Sequence, residues 1–251
     1  MRYFGEFYGL TGFCEVSRNI VFCLDDMGVP VAPVPLDKIG TMQIGREEEL
    51  RIKGLISHPT NGLIDVYNIQ PVKYRQEAKV NIGFTMFEDD RIPKGWVPLC
   101  NKMTEIWVPS EFNLETFSNS GVDKEKLHII PLGTDTEKLS PDAPPLKVKG
   151  AEGFKFLSIF YWSQRKGWDI LLRAYFEEFS PKEDVTLIIR PSNLNWHELK
   201  KFVEDYPHHP RLVVLPFLVK QDQLSSLYTA VDCFVLPSRG EGWGLPFMEA
   251  L

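Results

Sequence analysis

The chain has 251 residues, 28 basic against 34 acidic, with 43% hydrophobic and 25% charged residues and a formal net charge of −6. This composition is that of an ordinary globular protein, and its longest apolar stretch, around residues 211–219, is far shorter than the roughly 20 residues of a bilayer helix. Residues 1–140 carry 15 basic and 20 acidic groups and residues 141–251 carry 13 and 14, so neither half has the basic excess of a nucleic-acid binder.

The pattern in chain order is strand alternating with helix. Arg2–Phe7 reads as a strand followed by the loop Tyr8-Gly-Leu-Thr-Gly12, then a helix from Cys14 to Met27 with Val16, Ile20, Leu24 and Met27 on one face. Gly28 is its expected stop. Strands are expected over Leu63–Ile69, Val80–Phe87, Glu105–Val108 and Leu127–Ile130, with a short helix from Phe112 to Asn119. Residues 136–153 include Pro141, Pro144, Pro145, Gly150 and Gly153 and suit an exposed linker between a first domain, 1–135, and a second, 154–251.

The alternation then restarts. Strands are expected at Phe154–Phe160, Val185–Ile189, Arg211–Phe217 and Cys233–Leu236. Helices are expected at Trp168–Phe179, with Ile170, Leu171, Ala174 and Tyr175 on one face, at Trp196–Tyr206 and at Gln221–Ala230. Val185-Thr-Leu-Ile-Ile189 is apolar on both sides, as a sheet covered on both faces requires. The expectation is α/β: two Rossmann-like domains in tandem, each built on a mainly parallel sheet.

Candidate chemistry gathers after the carboxyl ends of strands, where open α/β sheets bind ligands. Ser163-x-Arg165-Lys166-Gly167 enters a helix, and two adjacent cations there oppose the helix dipole unless an anion such as a diphosphate joins them. A solvated Arg-Lys pair is the alternative. The last segment, Pro237 to Leu251, holds Gly240, Gly242 and Gly244, then Leu245 and Pro246 at a helix start. Those glycines let backbone N–H groups face a phosphate, while Glu249 is placed to accept hydrogen bonds from a vicinal diol such as a ribose. Alternatively Glu241 is an exposed loop charge and Glu249 a first-turn acid that favours the helix dipole.

Glu241 and Glu249 form an E-x7-E pair that, with Ser163, Arg165, Lys166 and Gly167, resembles the donor site of retaining glycosyltransferases of family 4, with the GT-B fold. Glu105-Ile-Trp-Val-Pro-Ser-Glu-Phe-Asn113, Ser120-Gly-Val and Leu127–Asp135 resemble the end of that family's first domain. Thr85–Pro93 is similar to a stretch in one group of these enzymes, and Gly9-Leu-Thr-Gly12 stands where the first Gly-rich loop would be. The resemblance implies transfer of a sugar from a nucleotide-diphosphate donor to a hydroxyl acceptor with retention of configuration. It implies that Arg165 and Lys166 hold the diphosphate and stabilise its departing charge, so that neither a cofactor nor a metal is required. Glu241, with the backbone of Gly242, Trp243, Gly244 and Leu245, would contact donor sugar and distal phosphate. Gly12, Ser163 and Gly167 would complete the donor loops, and Glu249 would hold the ribose.

In the first domain, His58 in Ser57–Gly62 is either an acceptor or sugar contact or a surface-turn histidine, and Glu88 is either such a contact or one acid of the solvated run Glu88-Asp89-Asp90. His208-His209 between two prolines reads as a turn. The four cysteines lack Cys-x-x-Cys spacing and Met1–Glu6 does not open a secretory signal, so the expected location is cytoplasmic, with a role in cell-envelope glycan synthesis and a peripheral membrane contact compatible with the family. A glycoside hydrolase using Glu241 and Glu249 leaves Arg165 and Lys166 unexplained, whereas a nucleotide-sugar-binding module or inactive subunit would use the same residues without transfer. No Gly-x-Gly-x-x-Gly follows either first strand, which argues against a dehydrogenase. The resemblance also implies further strands and a closing helix beyond Leu251, so a truncated second domain with weak activity of its own is expected.

Overall fold

A computed structural model describes residues 1–9, 11–37, 44–215 and 223–251. By their contacts these residues form two units: Met1–Gly133 with Glu241–Trp243, and Thr134–Gly240 with Gly244–Leu251.

The first unit is built on a six-stranded parallel sheet. Its strands are β1 (Arg2–Gly5), β2 (Ala32–Pro35), β3 (Ile64–Asn68), β4 (Val80–Phe84), β5 (Glu105–Val108) and β6 (Leu127–Ile129), in the order β2-β1-β3-β4-β5-β6. Helices α1 (Gly12–Asp26), α2 (Arg46–Ile56), α3 (Val97–Asn101) and α4 (Glu111–Asn119) connect them. Thr11 caps α1 and Ser110 caps α4, each by accepting from the backbone N–H three residues on. Gly28 stops α1 with a φ of 72°.

The buried face of α1 differs from the expected one. Val16 is buried as expected, together with Cys14, Ser17, Arg18, Val21 and Phe22, whereas Ile20 and Leu24 are only partly buried and Met27 is 77% exposed. Neither β2 nor α2 was an expected element. β2 carries Pro33 and Pro35 but lies at the sheet edge. Ala32 and Leu36 donate to the Met1 and Gly5 carbonyls of the β1 side, so the intervening prolines direct their missing donors to the open edge. α2 buries little beyond Ile52 and Leu55, and Arg51 ties it to Asp25, Asp26 and the Phe22 carbonyl of α1.

The second unit is a four-stranded parallel sheet of β7 (Phe154–Tyr161), β8 (Val185–Ser192), β9 (Arg211–Val214) and β10 (Cys233–Phe234), in the order β10-β7-β8-β9. Its helices are α5 (Trp168–Glu178), α6 (Trp196–Glu204), α7 (Leu224–Tyr228) and α8 (Leu245–Glu249). β8 is covered on both faces as expected. Leu187 and Ile189 pack with Trp168, Leu172 and Phe176 of α5, whereas Ile188 points the other way to Leu157, Leu224 and Leu227. Each such fully buried aliphatic side chain contributes about 1.5–3 kcal/mol. α5 turns slightly from its expected orientation: Ile170 and Ala174 are exposed, and the bulkier Trp168, Leu172 and Phe176 join Leu171 and Tyr175 inside.

The Pro/Gly-rich segment 136–153 is not a free linker. Leu139, Leu146, Val148 and Ala151 pack into the core under α7, and Ser140 and Leu146 hydrogen-bond with Ser225 and Ser226. Of the remaining expectations, the middle of the loop Tyr8–Gly12, the end of the strand Arg211–Phe217 and the start of the helix Gln221–Ala230 lie outside the described residues.

Candidate functional site

Each sheet has one place where the chain reverses its direction of travel across the strands. In the first unit β1 leads to β2 on one side and β3 returns on the other; in the second unit β7 leads outward to β8 and β9, and β10 returns beside β7. Crossovers that leave on opposite sides open a crevice at the strands' carboxyl ends, where α/β proteins bind ligands.

In the second unit that place is framed by the loop after β7 and the loop after β10. After Tyr161, Ser163 is extended, Gln164–Lys166 make one 3₁₀ turn, and Gly167 adopts a φ of 67° before α5 begins. A side chain on Gly167 would overlap the Pro237 carbonyl oxygen of the other loop. Arg165 Nη1 donates to the Gly240 carbonyl at 2.6 Å, and the Ser238 hydroxyl lies 3.2 Å from the Arg165 carbonyl. The Arg239 backbone N–H donates to that same carbonyl at 2.7 Å.

The Arg239 side chain reaches back across the two loops. It forms a fork–fork pair with both carboxylate oxygens of Asp169 at 2.8 Å and donates to the Gln164 carbonyl at 2.5 Å. Arg239 holds the Asp169 carboxyl below its ordinary value, helped by the N–H groups of Asp169 and Ile170 in the first turn of α5. A lowered carboxyl contributes stability above its unfolded value and loses it as pH falls through the lowered one, so this pair is intact at neutral pH. The first-turn N–H groups of α5 are therefore turned partly to a carboxylate of the same helix.

Gly244, with a φ of 84°, starts α8, and Pro246 sits in its first turn. Glu249 lies at the other end of that helix, where the Tyr228 hydroxyl of α7 donates to its Oε2 at 2.7 Å. Phe247 meets Phe234 of β10 edge to face at 5.7 Å, which fixes α8 against the strand that feeds the loop. The second unit thus carries Ser163, Arg165, Lys166 and Gly167 on the loop after β7, and Gly244, Leu245 and Glu249 on α8 and its start. Glu241, Gly242 and Trp243 group with the first unit. Asp169, Tyr228, Ser238 and Arg239 carry much of the geometry, yet no sequence expectation included them.

In the first unit, the corresponding place is a cleft of about 200 Å³ lined by Glu6, Phe13, Ile69, Gln70 and Lys73. Gly12, at the start of α1, borders this end of the sheet. The loop after β1 is set from both sides. Buried Arg18 donates to the Phe7 and Gly9 carbonyls at 2.6 and 2.8 Å, and Asp37 accepts from the N–H groups of Phe7 and Tyr8 at 3.0 and 2.7 Å. Glu88 also follows a strand's carboxyl end, but β4 closes at Phe84, leaving Glu88 on a loop that Asn113 and Thr116 of α4 hold through Phe87 N–H and the Asp89 carbonyl.

His58 is not at this end. It is exposed just after the carboxyl end of α2, and a helix joining two parallel strands runs back to the amino end of the sheet. The surface-turn reading of His58 is therefore the one the structure shows. Among the described residues, no group of three or more His, Cys, Asp or Glu side chains is arranged to hold a metal ion, and no helix is long and apolar enough to cross a membrane.

Residues 153–251 match the model of the family described as Glycosyl transferases group 1. The second unit is thus similar to the glycosyl transferases of group 1. Two curated relatives are similar to the chain. Mannosylfructose-phosphate synthase of Agrobacterium fabrum is 27% identical over 144 residues, covering 52% of this chain and 32% of that protein. The O-antigen biosynthesis glycosyltransferase WclY of Escherichia coli is 28% identical over 88 residues, covering 35% of this chain and 23% of its own. The matches thus span a third or less of the relatives' lengths. Among solved structures, Anabaena HepE in complex with UDP and glucose superposes with a TM-score of 0.65 at 15% identity, covering 99% of this chain and 77% of that one. The apo lipopolysaccharide outer core galactosyltransferase WaaB gives 0.60 at 11% identity, with the same coverages. The chain therefore has the α/β, parallel-sheet architecture of the GT-B glycosyltransferases on which it superposes, as the sequence leads one to expect.

Proposed function

We propose that the protein is a glycosyltransferase that moves a sugar from a nucleoside-diphosphate donor to a hydroxyl acceptor with retention of configuration. The observation that carries the reading is the pair of loops at the β7/β10 crevice, in which Arg165 and Lys166 stand beside glycine-rich backbone and Glu249 closes the far end of α8. Arg165 and Lys166 supply cationic charge where a diphosphate leaves, and preorganised N–H donors stabilise that charge without solvent reorganisation. In this reading the cations do what a metal ion does in other transferases. Glu249, oriented by Tyr228, accepts from the ribose diol, and Glu241 with the backbone of Gly242–Leu245 meets the donor sugar and distal phosphate. UDP and glucose bound to HepE support a uridine donor. The first unit's cleft beside Phe13, Gln70 and Lys73 would take the acceptor. Binding without transfer to any acceptor would instead favour a non-catalytic nucleotide-sugar module.

Calorimetric titration with UDP, GDP and ADP, repeated on Glu249→Ala, tests this. One nucleoside diphosphate should bind, and the variant should bind it about tenfold or more weakly, since a hydrogen bond to a charged group contributes about 1.5–3 kcal/mol. Equal affinity in the variant, or no binding by the unaltered chain, would overturn the donor assignment.

A further inference from the structure

The two loops at the β7/β10 crevice hold one another by an exchange of arginines. Arg165, on the first loop, donates to the Gly240 carbonyl on the second. Arg239, on the second, donates to the Gln164 carbonyl on the first and forks onto Asp169 in α5. Between them the Arg239 N–H meets the Arg165 carbonyl at 2.7 Å, and the Ser238 hydroxyl lies within 3.2 Å of that carbonyl and 3.0 Å of Gly240's. Every bond crosses from one loop to the other except the fork, which reaches α5, and the last, which stays within the second loop.

The partners differ in anchoring. Asp169 belongs to a regular helix whose neighbours Trp168, Leu171 and Leu172 are buried in the core. Arg239 is 42% exposed on a loop with no regular structure. An irregular loop joined bidentately to a regular helix takes its position from the helix. Asp169 is 23% exposed and points at Arg239 rather than into the crevice.

We propose that Arg239 and Asp169 form a positioning clasp that fixes the backbone of Arg165 and the start of the glycine-rich loop in the arrangement that receives the donor diphosphate. This rests on the donor-site reading above. The clasp does not touch the donor. It lowers the ordering that the loops would otherwise undergo when a ligand binds, which is how preorganisation raises affinity.

Two substitutions separate this from direct binding. Arg239→Ala removes a cation as well as the clasp, whereas Asp169→Asn breaks the fork yet makes the neighbourhood more positive. The clasp therefore predicts that both variants bind UDP, or whichever of UDP, GDP and ADP the unaltered chain prefers, about tenfold more weakly. Asp169→Glu, which keeps the charge, should recover part of that loss. Unchanged or tighter binding by Asp169→Asn beside weakened binding by Arg239→Ala would make Arg239 a direct phosphate contact and overturn the proposal.

A second readout needs no ligand. Hydrogen exchange followed by mass spectrometry should show residues 237–241 exchanging about tenfold faster in Asp169→Asn, with β7 and β8 unchanged. Unchanged exchange in those residues overturns the clasp. Failure of the unaltered chain to bind any nucleoside diphosphate overturns the donor reading instead, and removes the clasp's role in binding while its loop-ordering remains visible by exchange.

Discussion

Gly167→Ala is expected to destabilise the second unit by about 2–4 kcal/mol, because a left-handed conformation for a non-glycine residue costs about 1–3 kcal/mol and steric overlap adds to it. Gly167 has a φ of 67° and a ψ of 25°, and a side chain there would overlap the Pro237 carbonyl oxygen. That carbonyl cannot recede easily. Its neighbours Ser238, Arg239 and Gly240 are each bonded to the loop that contains Gly167. Relief would require the two loops to part, which removes the arrangement proposed to receive a diphosphate. Gly150 provides the comparison. Its φ is 85°, but a side chain there would meet only Val213 Cγ2 at 3.8 Å, so Gly150→Ala carries the conformational cost alone. Urea unfolding followed by the fluorescence of Trp162 and Trp168, stacked with centroids 4.3 Å apart, measures both. Equal losses in the two variants would show that the Gly167 backbone is not held against Pro237.

Arg165→Ala is expected to weaken nucleoside-diphosphate binding by about 1.5–3 kcal/mol, roughly tenfold to a hundredfold in Kd, the loss typical of a hydrogen bond to a charged group. A guanidinium carries five N–H donors in a planar fork, so holding the Gly240 carbonyl at 2.6 Å and meeting a phosphate are compatible roles for one side chain. Arg165→Lys should recover little, because an ammonium offers a point charge without the fork. The salt dependence of binding should also become shallower in Arg165→Ala, since one cation facing the phosphates is gone. Calorimetry at two ionic strengths reads both effects. Unaltered affinity and an unaltered salt slope would mean that Arg165 serves the loops only.

Much of this was legible in the residues. Strong alternation between apolar runs and amphipathic stretches marks β3, β4, β7 and β8, which bury consecutive residues on both faces, and β5, which buries every second one. Gly28 and Gly244 mark helix ends by the left-handed conformations they adopt. β2 was not legible because its prolines contradict strand propensity, and only its position at an edge reconciles them. α2 was hidden by charge: Arg46-Glu-Glu-Glu-Leu-Arg-Ile-Lys offers few apolar positions, and tertiary ion pairs with α1 supply much of what the pattern lacks. The segment 136–153 has the prolines and glycines of a linker, yet four small or aliphatic side chains spread along it are enough to fasten it to the core.

The site shows a similar division. Arg165, Lys166, Gly167 and Glu249 stand out because their residue types are chemically meaningful beside strand ends. Arg239 and Asp169 do not, since 70 residues separate them and each alone reads as a surface charge. Only the return of β10 beside β7 makes them neighbours. Asp169 does leave a trace in sequence: an acid in the first turn of a helix directly after two cations is placed to offset them. His58 shows the converse, a chemically capable residue that the direction of α2 carries to the wrong end of the sheet.

Everything proposed for these loops depends on a nucleoside diphosphate binding at the carboxyl ends of β7 and β10. Hydrogen exchange of the unaltered chain with and without saturating UDP, GDP or ADP tests it most directly. Bound nucleotide should slow exchange in residues 163–167 and 238–249 and leave the amino ends of the same strands unaffected. Protection confined to any other part of the chain, with those two segments unchanged, would contradict it.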